Sequence, residues 1–179
     1  MESTSALLLA VREGDDEARA ALVRAWGPVV LGWCARLGGA GVDPEDVAHE
    51  VLLKVLFKLD TLRSPDAFPA WIFSVTRSEL NRARRLAWFR RWLPGDPPEQ
   101  AIPGVDPAQR DLVRKVHGAL DALSADLREV LVLCDLEERT DPEVAAILGL
   151  PVGTVKSRLR RARAAFEVEA RRRRIPEEP

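Results

Sequence analysis

The sequence predicts an all-α protein made of two small helical domains joined by a proline-rich linker. Apolar residues recur every three or four positions along most of the 179 residues, which is the period of amphipathic helices. The stretch at 94–109, PGDPPEQAIPGVDPAQ, holds five prolines and interrupts this pattern. The stretch at 140–163 has the pattern of two helices joined by a tight turn. We therefore expect domains at 1–93 and 111–179, a flexible acidic linker at 94–110, and a C-terminal four-helix domain with a helix-turn-helix.

Composition excludes several classes of protein. Hydrophobic residues make up 46% and charged residues 31%, as in a soluble helical protein. With two histidines and two separate cysteines, Cys34 and Cys134, the chain offers no zinc-ligand spacing and no histidine triad, and both thiols are expected to be buried and free. We expect no enzyme activity, metal or cofactor. No signal peptide or stretch of membrane-spanning length is visible, so we expect a cytoplasmic protein with no membrane insertion.

Charge is segregated along the chain although the net charge is only −1. The first fifty residues hold nine acids and four bases, whereas residues 156–179 hold nine bases and four acids. Such segregation indicates two surfaces that meet different partners.

The first helices are expected at 7–11 and 17–33. The second should bend or break near Gly27-Pro28, because proline cannot continue the helical hydrogen-bond ladder. Trp26 and Trp33 follow the apolar spacing and are expected in the core rather than at a ligand site.

A further helix is expected from Asp43, an N-cap followed by Pro44, to Leu59. One of its faces carries valines and leucines at helical spacing and should be buried. Another face mixes acids with large apolar groups: Asp46, His49, Glu50, Leu53 and Phe57. Either a second layer of the same domain covers its two apolar side chains, or they form a protein-binding patch.

The loop at 61–66 ends the first part of this domain, and Ser64 with Pro65 predicts a helix that reaches about Leu93. From 82 to 92 this helix holds five arginines, three aromatic residues and no acid. Arginines between aromatic rings suit single-stranded nucleic acid, since phosphates and unstacked bases each find a partner. The alternative is that arginine stems cover the aromatic ridge of their own helix.

The C-terminal helices are expected at 111–123, at 125–136 after a Ser124 cap, and in the pair at 140–163. Thr140 and Glu143 form a capping-box pattern, and Gly149 ends the first helix of the pair. The second helix aligns five apolar residues on one stripe: Val152, Val155, Leu159, Ala162 and Phe166. Its other side is cationic, which is compatible with a solvated surface helix. DNA contact is favoured because no acid lies between 144 and 166 and a capped helix precedes the turn.

Taken together, these segments resemble bacterial sigma factors of the extracytoplasmic-function group. GDDEARAALVRAWGPVV at 14–30 resembles the family's opening helix, and DPEDVAHEVLLKVLFKL at 43–59 its polymerase-binding segment, which usually has glutamine where His49 stands. FPAWIFSVTRSELNRARR at 68–85 is similar to the promoter-melting segment, and VGTVKSRLRRAR at 152–163 to the recognition helix.

The resemblance implies a factor that binds core RNA polymerase and directs it to promoter DNA. Its partners would be the clamp helices of the largest polymerase subunit, the flap of the second subunit and an anti-sigma factor. Polymerase contacts would come from Asp46, His49, Glu50, Leu53 and Phe57. The minus-ten element and the opened strands would meet Leu62, Arg63, Ser64, Asp66, Trp71, Arg77, Asn81, Arg84, Arg85 and Trp88. The minus-thirty-five element would meet Thr154, Lys156, Ser157, Arg158, Arg160 and Arg161.

Besides His49, the chain departs from the family pattern at six positions. Ser78 and Arg82 replace a usual asparagine and aspartate, so the melting surface is expected to be more basic. Pro151 replaces a serine cap, and the approach to the turn should pack differently because of Glu138, Arg139 and Asp141. Two rivals remain: a sigma mimic that only occupies a regulator, which predicts a degraded recognition helix, and a stand-alone repressor or activator, which leaves the patch at Leu53 and Phe57 unexplained.

Overall fold

The computed structural model describes residues 4–90 and 107–176, and within these ranges every regular element is a helix. The predicted all-α class is confirmed. No helix in the described ranges is long and apolar enough to cross a membrane. The α-helices are α1 Thr4–Arg12, α2 Asp16–Gly38, α3 Pro44–Lys58, α4 Phe68–Arg90, α5 Pro107–Ala122, α6 Ala125–Leu131, α7 Asp141–Leu148 and α8 Val152–Arg172.

Helix α2 is not broken at Pro28, where a bend or a break was expected. Proline removes one intrahelical hydrogen bond, but Pro28 lies on the exposed side of the helix, where water can satisfy the freed carbonyl. The helix ends at the predicted glycine stretch, and Gly39 and Gly41 both have positive φ, 82° and 81°.

Polar side chains cap the starts of α3 and α7. The Asp43 carboxylate accepts hydrogen bonds from the backbone N–H groups of Glu45 and Asp46, at 2.9 and 3.2 Å. The Thr140 backbone N–H donates to the Glu143 carboxylate at 2.8 Å, so the predicted capping box is present. Because these hydrogen bonds join residues close in sequence, both helix starts could be predicted from the sequence.

The second half of the chain has the four predicted helices, α5 to α8, with two local differences. Helix α5 begins at Pro107, so the last four residues of the expected linker at 94–110 are helical; proline is tolerated at a first helical position. The rest of that linker, and Trp92 and Leu93, lie outside the described residues. Helix α6 continues into a π-helical turn at Val132–Leu136, followed by Glu138 at φ 53°.

The core of the first half forms between α2, α3 and α4. Trp33 is fully buried and meets Phe73 edge-on at 5.1 Å between ring centroids, and Trp26 meets Phe68 edge-on at 5.0 Å. Both tryptophans are therefore core residues, as predicted.

The two halves also pack on each other. Helix α4 contacts α7, and α2 contacts α5 and the π-helical turn. Arg36 of α2 forms an ion pair with Glu137. The apolar side chains of both halves consequently form one continuous cluster.

Candidate polymerase and nucleic-acid interfaces

The mixed face of α3 is open to solvent. Its exposed side chains recur at helical spacing, while Val47, Val51 and Val55 face inward. Phe57 is 83% exposed and Leu53 38% exposed. The alternative of a covering second layer is therefore excluded for the described part of the chain. We call this face the α3 stripe; it consists of Asp46, His49, Glu50, Leu53 and Phe57.

A buried carboxylate ties the α3 stripe to α4. Glu79 of α4 is 7% exposed and lies 2.7 Å from Lys54 Nζ and 2.9 Å from Arg82 Nε. Burial by itself acts to raise the pKa of Glu79, but the hydrogen bonds and charges of Lys54 and Arg82 together lower it. Arg82 also approaches Glu50 at 3.8 Å. The charge that Arg82 adds to the melting surface is therefore partly offset by acids on α3 and α4.

Glu79→Gln is expected to lower the free energy of unfolding by about 1–2 kcal/mol at pH 7, since Lys54 and Arg82 lose a charged partner but keep partial access to water. Because the folded-state pKa is lowered, this stability is present above the unfolded value near 4.3 and is lost as pH falls through the folded-state value. Urea unfolding should therefore show a difference at pH 7 that shrinks below about pH 4.3.

The matched control is Glu17→Gln, which removes an exposed ion pair with Arg24 and should change stability by less than about 0.5 kcal/mol. A constant difference between Glu79→Gln and the parent across this pH range would contradict the assignment.

The loop expected to capture a minus-ten base is anchored rather than free. Leu62 is 4% exposed, and its backbone carbonyl accepts a hydrogen bond from the Arg12 guanidinium. The prediction that the Leu62 side chain contacts DNA is therefore wrong. This side chain is buried under the loop and helps to position the loop. Arg63 and Asp66 are exposed and Ser64 is half-buried, so these three side chains can reach a ligand.

The remaining residues predicted to contact opened DNA lie on α4. Five of them recur at helical spacing on one side of this helix, which we call the strand-opening face: Arg77, Asn81, Arg84, Arg85 and Trp88. Trp71, at the start of the helix, is half-buried against Phe68 at 5.9 Å between centroids. The Arg84 Nε donates to the Gly38 carbonyl at 2.9 Å, and burial lowers the pKa of its guanidinium.

The aromatic residues near the end of α4 are exposed. Trp88 and Phe89 meet edge-on at 5.1 Å and are 55% and 62% exposed. In the described residues, arginine stems therefore do not cover this aromatic ridge, which was the alternative. Both rings present a face that an unstacked base could use.

Helix α8 presents the predicted cationic face. Val155, Leu159 and Ala162 are buried at 0%, 8% and 0% exposure. The helix begins after Gly149, whose φ of 66° closes α7, and the Pro151 carbonyl accepts from the N–H groups of Thr154 and Val155. Proline thus replaces the serine cap without shifting the helix start. The outward side chains are Lys156, Ser157, Arg160 and Arg161, with Thr154 half-buried.

Two cations of α8 are held by acids that lie far away in sequence. Arg158 is 2.9 Å from Asp126 of α6, and Arg163 makes two bonds, of 2.9 and 2.6 Å, to Asp135. These ion pairs could not be predicted from the sequence of α8, because the partner acids belong to α6 and to the π-helical turn. In the described residues no ion pair engages Lys156, Arg160 or Arg161, so these remain available to phosphates and base edges.

Comparison with known proteins matches both halves to the same family. The model for sigma-70 region 2 matches residues 22–90 and that for sigma-70 region 4 matches residues 114–166, together more than half of the chain. The sigma-H factor of Pseudomonas aeruginosa is 28% identical over 182 residues, which cover 93% of each chain. The extracytoplasmic-function (ECF) sigma-E factor of Escherichia coli is 28% identical and covers 88% of each chain.

A solved structure of CnrH in complex with the cytosolic domain of CnrY matches with a TM-score of 0.70 and 27% identity, over 93% of this chain and 96% of that one. The matched regions contain the α3 stripe, the strand-opening face and the cationic face of α8. The chain belongs to the sigma-70 family of RNA polymerase sigma factors and, within it, to the extracytoplasmic-function group.

Proposed function

We propose that three exposed surfaces divide the work of an alternative sigma factor, which binds core RNA polymerase and directs initiation at specific promoters. The α3 stripe binds polymerase, the strand-opening face with the 63–66 loop holds the minus-ten element, and α8 reads the minus-thirty-five element. The proposal is carried mainly by the α3 stripe, because a helix-turn-helix alone would also suit a repressor.

The α3 stripe fits a protein partner rather than DNA. Two apolar side chains stand among two carboxylates, and carboxylates repel phosphates while an exposed phenylalanine can enter an apolar pocket. A helical partner with basic side chains would match this chemistry, and we propose the clamp helices of the largest subunit as that partner. The C-terminal half would in turn contact the flap of the second subunit.

The strand-opening face supplies the two kinds of contact that separated strands need. Arginines can bind phosphates, and the exposed rings of Trp88 and Phe89 can stack on bases. Extruding a base costs a few kcal/mol, and stacking returns about 1–3 kcal/mol per base. The face therefore acts by stabilising opened DNA, and no catalytic step, metal or cofactor is needed.

If the three surfaces bind different partners, the chain should contain separable functional units. We propose that residues up to 93 form the polymerase and minus-ten unit, that the chain from α5 onward forms the minus-thirty-five unit, and that the segment between them sets their spacing. An anti-sigma factor is a further proposed partner, since the similar CnrH structure holds the cytosolic domain of CnrY.

Run-off transcription with core polymerase across a genomic promoter library tests this function and returns the promoter motif. We expect discrete start sites with paired minus-thirty-five and minus-ten elements. DNA binding without polymerase-dependent initiation would favour a stand-alone repressor or activator, and polymerase-independent binding of a regulator without initiation would favour a sigma mimic.

Replacing Arg85 and Trp88 by alanine should reduce strand opening, because one phosphate contact and one stacking platform are lost. At about 1–3 kcal/mol per lost stack, open-complex permanganate reactivity should fall roughly tenfold. Leu86→Ala is the control, since Leu86 is 48% exposed but lies on the other side of α4. Unchanged permanganate patterns in the double variant would move strand opening away from this face.

A further inference from the structure

The loop assigned to the minus-ten element is fixed at both of its ends. Leu62 at its start is 4% exposed, and Phe68 at its end is fully buried. A short hydrogen-bonded turn closes each end. The Leu62 N–H donates to the Leu59 carbonyl at 3.0 Å, and the Ala67 N–H donates to the Ser64 carbonyl at 3.1 Å. The side chains between the two ends can therefore be held in one arrangement.

The side chains between these ends carry the groups that could read a base. Arg63 and Asp66 are exposed, and Ser64 is half-buried. Ser64 precedes the second turn, but its side chain makes no capping hydrogen bond there. An arginine donates, an aspartate accepts and a serine hydroxyl does both, so together they can match the edge of one base and mismatch the others. Which base they favour depends on where the loop holds them.

Arg12, the last residue of α1, bonds to the first end of this loop. Its Nη2 donates to the Leu62 carbonyl, and makes a longer bond of 3.4 Å to the Leu59 carbonyl. The two acceptors belong to the same turn, so a single nitrogen of α1 bridges that turn. Hydrogen bonds from a charged donor are stronger than those between neutral groups. Arg12 therefore ties the backbone of the loop to α1.

Helix α1 gives Arg12 a fixed support. Leu7, Leu8 and Val11 are buried, and the helix packs on α2 and on both turns that border the loop. Arg12 itself lies on the exposed side of α1. Replacing it should therefore release the loop without leaving a cavity in the core.

We propose that Arg12 is a positioning residue for minus-ten recognition, which holds the loop so that Arg63, Ser64 and Asp66 accept one base and reject the others. This inference rests on the proposed function, because it concerns the loop assigned to the minus-ten element. Arg12 acts through the loop backbone and does not touch DNA in this role.

Arg12→Ala should reduce the discrimination between bases in the minus-ten element. A wrong base at a position that is read usually weakens binding by about tenfold or more. The test compares run-off transcription by the holoenzyme from its strongest promoter and from single-base substitutions in the minus-ten element. At one or more positions the ratio should fall about fivefold, the factor that corresponds to one ordinary hydrogen bond.

Arg12→Lys should restore most of this discrimination. Both hydrogen bonds of Arg12 come from the same nitrogen, so the single ammonium group of a lysine can replace it. Circular dichroism should show the helix content of the parent in both variants. A lysine variant that is folded but discriminates as poorly as the alanine variant would overturn the assignment of these bonds.

The salt dependence of promoter binding separates positioning from a direct contact with DNA. Loss of a phosphate contact weakens binding to all sequences alike and lowers the salt slope by about one. For Arg12→Ala we expect an unchanged slope and a selective loss at the minus-ten element. A lower slope with unchanged base discrimination would overturn the proposal.

The matched control is Arg19→Ala. It removes the same charge from the neighbouring helix α2, where Arg19 lies 2.7 Å from Asp16. Base discrimination should remain as in the parent. An equal loss in this control would assign the effect to net charge and overturn the positioning role.

Hydrogen exchange of the free chain tests the anchoring without promoter or polymerase. In Arg12→Ala the amide groups of Leu62 and Ala67 should exchange about fivefold faster, while that of Val51 in α3 should not change. Unchanged exchange at Leu62 would overturn the anchoring, and faster exchange with unchanged base discrimination would overturn the role in base selection. Failure of the parent in run-off transcription would overturn the proposed function and with it that role, whereas the anchoring is judged by hydrogen exchange alone.

Discussion

Leu53→Asp with Phe57→Ala is expected to abolish co-purification with core RNA polymerase while the chain stays folded. Phe57 is 83% exposed and Leu53 38% exposed on the α3 stripe, so neither contributes much to the core. Burying side chains of this size in an interface is worth about 1.5–3 kcal/mol each, and an aspartate in an apolar pocket adds a desolvation cost. The combined loss of about 4 kcal/mol corresponds to roughly a thousandfold weaker binding.

Leu31→Asp with Leu9→Ala is the control for this experiment. Leu31 is 38% exposed, the same fraction as Leu53, and Leu9 is 54% exposed, but both lie on other helices. The control should retain polymerase, as judged by pull-down and by the dissociation constant. If the α3 variant also retains it with native helix content, the interface lies elsewhere.

Arg160→Ala with Arg161→Ala is expected to reduce promoter-specific transcription by about a hundredfold with little change in polymerase binding. Both side chains are exposed on the cationic face of α8, away from its buried stripe. Contacts of arginine with base edges are worth about 1–3 kcal/mol each, and loss of two phosphate contacts would lower the salt dependence by about two. Run-off transcription and the salt slope of promoter binding measure the two effects.

Arg171→Ala with Arg172→Ala provides a control with the same change in charge. These arginines are adjacent, lie in the last turn of α8 and pair with Glu167 and Glu169. Promoter use should change little in this control. Loss of polymerase binding by the Arg160–Arg161 variant would instead overturn the assignment of DNA reading to α8.

Local features were predicted well because their causes lie within a few residues. The Asp43 cap, the Thr140–Glu143 capping box and the Gly149 helix end all depend on neighbours in sequence. The exposed stripe of α3 and the cationic face of α8 follow from the helical period. The family assignment rested on the order of these same segments, and it is confirmed.

Three expectations are revised by the structure. The charge of Arg82 is partly offset by Glu79, three residues away on α4, and by Glu50 of α3. Leu62 is buried beneath its loop, and its backbone carbonyl accepts a hydrogen bond from Arg12 of α1. Helix α2 is not broken at Pro28, where the loss of one solvent-side hydrogen bond is tolerated. Contacts between elements, such as those of Arg82 with Glu50 and of Arg12 with the loop, leave no signal in local propensity or spacing.

By itself, the sequence determined the helices, their inward and outward faces and the family, since each depends on local periodicity and capping. Only the tertiary structure decided which cations are free. It pairs Arg158 with Asp126 across α6 and α8, and places Glu129 beside Arg77 from the other half of the chain. Ion pairs act through space over a few ångströms, so residues far apart in sequence can neutralise each other without leaving a local pattern.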